Sequence, residues 1–415
     1  MSTQQAPAAI AIVGAGPCGL TLARLLEQHG GIDYVVYDRD ESATSNTAGG
    51  SLDLHPATGQ RALQDAGLFD DFKRVARYED TLFTILDTQG VQHLRIGEGR
   101  DAPEIDRLQL RQILLASVPE GKIRWGHALA GVEVDDATGK PVLNFANGSR
   151  VAGFKLVVGT DGAWSKVRSL ITPSKPQYTG KSYIETRIRP ENPLYALASS
   201  VLGRGSTAAI GNRHGIFAQK QGDASYRLYL GFETPEHGLR AGGAYDISTP
   251  AAAEATRQSL LTDEHYGTWA DTYRQFIGQA TDFRSWTLNS LPLAALLAEE
   301  GGWTHRAGVT LAGDAAHLAP PNGEGVNLAM TDSLDLAGRI IQWAELAEGE
   351  RSEEALDRAV REYEAVMIPR GAKSIGEGKM MMDPMFAEDH RPFVDLLNSF
   401  VAAAMAEHAP NGDAH

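Results

Sequence analysis

Cysteine is nearly absent: one residue, Cys18, in 415. A disulfide within the chain and a dithiol redox centre are both excluded. Long hydrophobic runs are missing too, and none approaches the roughly 20 apolar residues a membrane-crossing helix needs. Nor does a signal-peptide core precede the first predicted strand. Positive charge is in deficit, with 38 Lys+Arg against 53 Asp+Glu and a net charge of −15. Broad nucleic-acid or anionic-membrane binding needs a basic surface and is not expected. Cytoplasmic residence is the default expectation, as a monomer. The length exceeds the roughly 250–300 residues at which one core stops growing, so about two domains are expected.

What is present is concentrated near the start. The apolar run Ile10–Val13 ends in Gly14-x-Gly16-x-x-Gly19 and passes at once into an amphipathic pattern through His29. Gly14 permits a tight turn, Gly16 lets the backbone approach a pyrophosphate, and Gly19 lets helix and strand pack closely. The helix start then turns free N–H groups and a partial positive charge toward phosphate. A second strand, Asp33–Asp38, ends in a carboxylate about twenty residues after Gly19, suited to a ribose diol. Cys18 within this loop reads as a small packed side chain rather than a reactive thiol.

Further on, the pattern predicts a helix near Pro56–Ala66 and a hairpin from Leu82–Asp87 and Val91–Leu94. A helical stretch is expected over Glu104–Leu114, then short strands to Lys155–Gly162, then a helix-like Trp164–Leu170. From about Pro173 to Thr281 half-buried strands (Ser182–Arg189, Ile216–Gln221, Tyr226–Phe232) precede helices at Ala251–Leu261 and Thr268–Ile277. The first domain resumes with a strand at Val309–Ala312, a turn-rich loop 313–325 and a helix over Val326–Trp343. A helix from Ser352 is expected to kink or break at Pro369, and Phe393–Met405 forms a last helix. The predicted division is 1–172 and 282–372 for the nucleotide domain, 173–281 for an inserted substrate domain, and 373–415 for a C-terminal helical segment. The fold class is α/β, a Rossmann-like domain with an inserted β-sheet domain and C-terminal helices.

Two further motifs follow the glycine fingerprint: Asp161-Gly162 after a strand, and Gly313-Asp-Ala-Ala-His-Leu-Ala-Pro-Pro-Asn-Gly-Glu-Gly-Val-Asn327. In the late motif two prolines, Pro320 and Pro321, stiffen the loop, and Gly323 and Gly325 permit close approach. The helix beginning near Val326 points amides at whatever binds there, favouring negative charge on it. His317 reads as a packed loop residue rather than an acid–base group.

In this order the three motifs resemble the aromatic-hydroxylase group of single-component FAD monooxygenases. Gly49–His55, Tyr37–Arg39, Glu104–Arg107 and Ser165–Arg168 further resemble the tetracycline-inactivating flavin monooxygenases. The resemblance implies that Asp38 and Arg39 hold the adenosine end of FAD. Asp53 and Arg107 would contact its middle, and Asp314 its ribityl–pyrophosphate region. Asp161 in the D-G turn would support the cofactor and a transient NADPH or NADH. Pro321, Gly325, Val326 and Asn327 of the late motif complete the cofactor set, with no metal. The substrate implied is a polycyclic or aromatic oxygenated small molecule, tetracycline-like compounds among the candidates, hydroxylated with O₂. No protein group is expected to be the catalyst, because a flavin C4a-hydroperoxide supplies the oxygen. The substrate wall would include Glu185, Phe217 and Arg227, where Glu185 replaces a glutamine and Arg227 a histidine of the relatives, and an arginine of theirs maps near Ala208. Asn46 stands where they carry an arginine associated with the nicotinamide, which leaves NADPH or NADH open. Another FAD oxidoreductase (a reductase, or a halogenase, whose W-x-W-x-I-P segment is missing) and a non-catalytic carrier on the same fold are the rival readings.

Overall fold

A computed structural model describes residues 4–5, 8–45, 49–297 and 301–407. The chain divides into two compact units: residues 1–78, 101–177 and 289–378, and residues 79–100, 178–288 and 379–415.

The first unit is built on a parallel sheet of five strands, in the order Val309–Leu311, Leu156–Gly159, Ile10–Val13, Tyr34–Tyr37, Ile123–Arg124. Ile10–Val13 sits at its centre, buried on both faces, which is why it reads as an unbroken apolar run. The helix Pro17–His29 follows directly and packs against the long helix Gly325–Glu345, where Ser333 Oγ donates to the Cys18 carbonyl at 2.7 Å. A smaller sheet joins Gln4–Gln5, Arg150–Ala152, Pro141–Phe145 and Leu129–Val134. The expected helix near Pro56 begins as a π-turn, Pro56–Gln60, before the α-helical Arg61–Asp65. Glu104–Asp106 is a strand, paired with Ser51–Asp53, and Arg107–Ala116 the helix after it. Trp164–Leu170 yields one 3₁₀ turn, Val167–Leu170.

The second unit carries a seven-stranded mixed sheet. Its order is Thr281–Ser290, Gln177–Ile188, Tyr226–Glu233, His214–Lys220, Ser206–Gly211, Phe83–Leu86, Gln92–Ile96. One sheet face, with Ile184, Leu228, Leu230 and Phe232, is covered by an apolar cluster that includes Leu260, Tyr273 and Phe276 of the helices Pro250–Leu260 and Asp271–Gly278.

Four expectations need correction. The hairpin, assigned by sequence order to the first domain, extends the second unit's sheet by parallel pairing of Phe83–Leu86 with Ser206–Gly211. A strand edge seeks a partner, and nothing local names which. Residues 379–407 also belong to the second unit, whereas 373–378 stay with the first. Thr281–Ser290 is a ten-residue strand where the inserted domain was expected to end. Finally, the helix Glu353–Met385 runs through Pro369. The proline forfeits one amide donor, but buried Tyr363, Met367 and Ile375 on either side hold the helix to the core.

Candidate active site

The site in the first unit begins where strand becomes helix. Gly14 has φ of +115°, and a Cβ there would lie 2.4 Å from the Thr160 carbonyl oxygen. A Cβ on Gly19 would lie 2.0 Å from the Gly14 carbonyl oxygen. Both positions are closed to any side chain by the protein's own backbone. Gly16 differs: its Cβ would meet nothing within 4 Å, and neither would one on Gly325. These two glycines face open space, a cavity of about 610 Å³ lined by both.

Asp38, buried at the end of its strand, is already oriented. Its Oδ2 accepts from Ala15 N–H at 2.5 Å and its Oδ1 from Asp40 N–H at 2.8 Å. Exposed Arg39 and Arg107 line the same cavity, as do Asp161 and Asp314. Asp161 Oδ2 accepts from the backbone N–H of Lys166 at 2.7 Å, while its Oδ1 has no partner among the described residues. Burial pushes the Asp161 carboxyl above the usual carboxylate range, against hydrogen bonds from Ser165 and Lys166.

Two helices open onto the cavity. Pro17–His29 starts after Gly16 and Gly325–Glu345 after Glu324, and neither has a side-chain cap. Their first amides are therefore left for a ligand or water. Val326 lines the cavity with Gly325.

Four predicted residues are not among those lining it; one is Gly19, which packs against the Gly14 carbonyl instead. Asn327 is fully buried and works as a hub: its Oδ1 accepts from the backbone N–H of His55 at 2.9 Å and Thr58 Oγ1 at 3.2 Å, and its Nδ2 donates to the Asp53 carbonyl at 2.9 Å. Asp53 instead meets His55, whose Nε2 is 3.1 Å from its Oδ2, and Glu324 closes on the other ring nitrogen at 3.2 Å. Hydrogen bonds to Asp53 and Glu324 raise the His55 pKa to about 9. Pro321 is exposed in the loop ahead of the helix. Asn46 lies outside the described residues.

Sequence reasoning missed Arg111, four residues after Arg107 on the same helix. It is buried, donates to Ala15 O (3.2 Å) and Ala43 O (3.3 Å), and pairs with Asp40 at 2.7 Å. Its guanidinium thus fastens the glycine loop to the segment after Asp38. The i,i+4 spacing from Arg107 was the available signal. Arg168 does similar work on the other side, with Nε to Ala315 O (2.7 Å), Nη1 to Ala163 O (2.9 Å) and Nη2 to Asp314 O (2.9 Å). It straps the D-G turn to the late motif.

His317 is buried and packed, its Nε2 2.6 Å from Asp332 Oδ2, and Arg370 reaches the other oxygen at 2.8 Å. Burial opposes a charge on His317, but the adjoining Asp332 carboxylate raises its pKa above the ordinary value. Cys18 is likewise packed, and burial pushes its thiol far up, away from the thiolate a nucleophile requires.

In the second unit Glu185 and Arg227 meet each other, Oε1 to Nη1 at 2.5 Å, with 3 % and 2 % of their side chains exposed. Trp286 Nε1 donates to Glu185 Oε2 at 2.7 Å, and Arg227 Nε has no partner among the described residues. Register places Tyr229 opposite both Glu185 and Phe217, so all share one sheet face. The rings of Phe217 and Tyr229 lie 5.5 and 5.6 Å from that of Tyr183. Ala208, on the same face, is fully buried.

Comparison with known proteins agrees with this geometry. The family described as "FAD binding domain" matches residues 7–187 and 286–368. Monooxygenase penA of Penicillium thymicola is 34% identical, with 88% of this chain and 92% of that protein covered. Monooxygenase asqM of Emericella nidulans is 31% identical over 79% and 82%. Klebsiella pneumoniae HpxO complexed with FAD and uric acid has a TM-score of 0.72 at 18% identity, covering 94% and 92%. Tetracycline destructase Tet(55) has a TM-score of 0.68 at 17%, covering 96% and 95%. These last two likenesses are of fold alone, so the narrower resemblance to tetracycline-inactivating enzymes gives way to the broader one. NAD(P)H is the usual electron donor of the class. The chain belongs to the FAD-binding-domain family and is an FAD-dependent monooxygenase.

Proposed function

We propose that the enzyme hydroxylates a planar, oxygenated polycyclic or aromatic small molecule, with NADPH or NADH as transient donor and O₂ as the oxygen source. The observation that carries this reading is the cluster of Tyr183, Phe217 and Tyr229 on the sheet face that also holds the buried Glu185–Arg227 pair. Aromatic rings suit a flat substrate. The unpartnered Arg227 Nε is a buried donor suited to an oxygen of that substrate. The planar uric acid in the HpxO structure is consistent with this class. Tetracyclines fall within it as well.

The residues of the first unit fit FAD, since Gly16 and Gly325 leave space where a Cβ would meet nothing and Asp161 Oδ1 lacks a partner. Bound there, FAD supplies the redox chemistry that activates oxygen. Asp38 would hold the adenosine ribose, and Arg39 and Arg107 would offset phosphate charge. Asp161 and Asp314 would accept from hydroxyls or donors of the cofactor's middle. The uncapped amides at Gly325 and Val326 would stabilise negative charge on the reduced ring. Asp53 and Asn327 act from outside the cavity by fixing that helix start, and Pro321 by stiffening the loop before it.

A panel of tetracyclines, polyketide-like phenols and aromatic acids, assayed by NADPH consumption and product mass, tests the proposal. The expected product carries one added oxygen atom. Turnover that yields a reduced or halogenated product would replace hydroxylation with another FAD chemistry, and a purified protein without flavin would revive the carrier reading.

A further inference from the structure

Within the second unit, at the end of the strand order opposite the Glu185 strand, three side chains with metal-ligating chemistry converge. Asp87 Oδ2 lies 2.8 Å from His93 Nε2, and the rings of His93 and His390 stack with centroids 3.5 Å apart and planes at 24°. One ligand atom from each of the three lies within 4.8 Å of the other two. Asp87 and His390 are half-buried and His93 is exposed, so solvent ions reach the cluster.

Asp87 and the segment that carries His390 are held by the backbone. Asp87 Oδ1 accepts from Gln89 N–H (2.8 Å) and Val91 N–H (3.0 Å) in the hairpin turn, which directs Oδ2 toward the histidines. The segment carrying His390 is tied by Asn212 N–H to Glu388 O (2.7 Å) and Arg213 N–H to Ala387 O (3.0 Å). His390 itself accepts from Val394 N–H at 3.1 Å, at the start of the helix Arg391–Glu407. Two neutral imidazoles and one carboxylate oxygen form a donor set for borderline divalent cations, with water completing the shell.

We propose that Asp87, His93 and His390 bind one divalent cation of the zinc class, which clamps the Phe83–Ile96 hairpin to the last helix. Binding exchanges the Asp87–His93 hydrogen bond for bonds to the ion of about 2.0–2.2 Å, reached by ring rotation.

The test is calorimetric titration of Zn²⁺ alone into chelator-treated, FAD-loaded enzyme. One ion per chain is expected, with a melting temperature raised by Zn²⁺ and restored to its starting value by chelator. His93→Ala and His390→Gln should each weaken binding by about tenfold or more and abolish the thermal shift, with FAD content retained. His237→Ala, at an exposed histidine elsewhere, should bind as wild type does. No binding at submillimolar Zn²⁺, or binding unchanged in both His93→Ala and His390→Gln, overturns the proposal.

Discussion

In the first unit Asp161 keeps a carboxylate oxygen without a partner among the described residues, and Gly16 and Gly325 face empty space. In the second, Glu185 and Arg227 neutralise each other, and the indole of Trp286 takes the remaining carboxylate oxygen. One region leaves polar capacity open for a ligand to complete. The other is largely complete in itself, apart from Arg227 Nε. Substitutions should therefore separate: those at the open groups of the first should change ligand affinity, and those at the buried pair of the second should change stability first.

The largest expected effect is at Arg227. Alanine there strands Glu185 in a buried site, a loss of about 3–5 kcal/mol in unfolding free energy. Urea unfolding followed by circular dichroism would register it. A midpoint equal to wild type would show that Glu185 is solvated or protonated and would erase the contrast between the units.

Gly19→Ala comes next. Its Cβ has the Gly14 carbonyl within 2.0 Å, so strand and helix must move apart. Overpacking of this kind costs about 1–3 kcal/mol, occasionally more. Because the displaced atoms belong to the turn proposed to face the FAD phosphates, the variant should also be purified with substoichiometric flavin. Full flavin content with an unchanged melting temperature would contradict the close packing described here.

The smallest is a pH effect at His55. Its folded pKa of about 9 stands above the ordinary 6.5. Ion pairing with Asp53 and Glu324 is thus fully available below about pH 6.5 and is lost as pH rises through about 9. Unfolding free energy should fall across that window by about 1–3 kcal/mol. His55→Gln should flatten that part of the profile, and an equally steep decline in the variant would assign the slope to another group.

How much of this was legible in the sequence follows a physical line. Gly14 and Gly19 were readable because backbone contact forbids every other residue, and Asp38 because strand geometry fixes where a carboxylate can reach the turn. Arg111 and Arg168 escaped notice as anchors because their partners, Ala15, Ala43, Ala163 and Ala315, are backbone carbonyls that no side-chain pattern reveals. Thr281–Ser290 was missed since it is polar and largely exposed, without apolar alternation to mark a strand. The hairpin was readable as a local object but not its partner strand. Glu185 and Arg227 were picked out as a site, yet sequence left open whether they pair or face a ligand, because that depends on strand register. Asn327 was assigned to the cofactor through its motif, whereas its amide is occupied by Asp53, His55 and Thr58.

The central claim is that the first unit's cavity is built for FAD, with Asp38 as the group that reads the adenosine ribose. FAD titration into flavin-stripped wild type and Asp38→Ala, followed by flavin fluorescence, tests it most directly. Loss of a charge-assisted hydrogen bond worth about 1.5–3 kcal/mol predicts a Kd raised by roughly tenfold to a hundredfold, while FMN affinity changes little. Equal FAD affinity in the two proteins, or an equal loss for FMN, would contradict it.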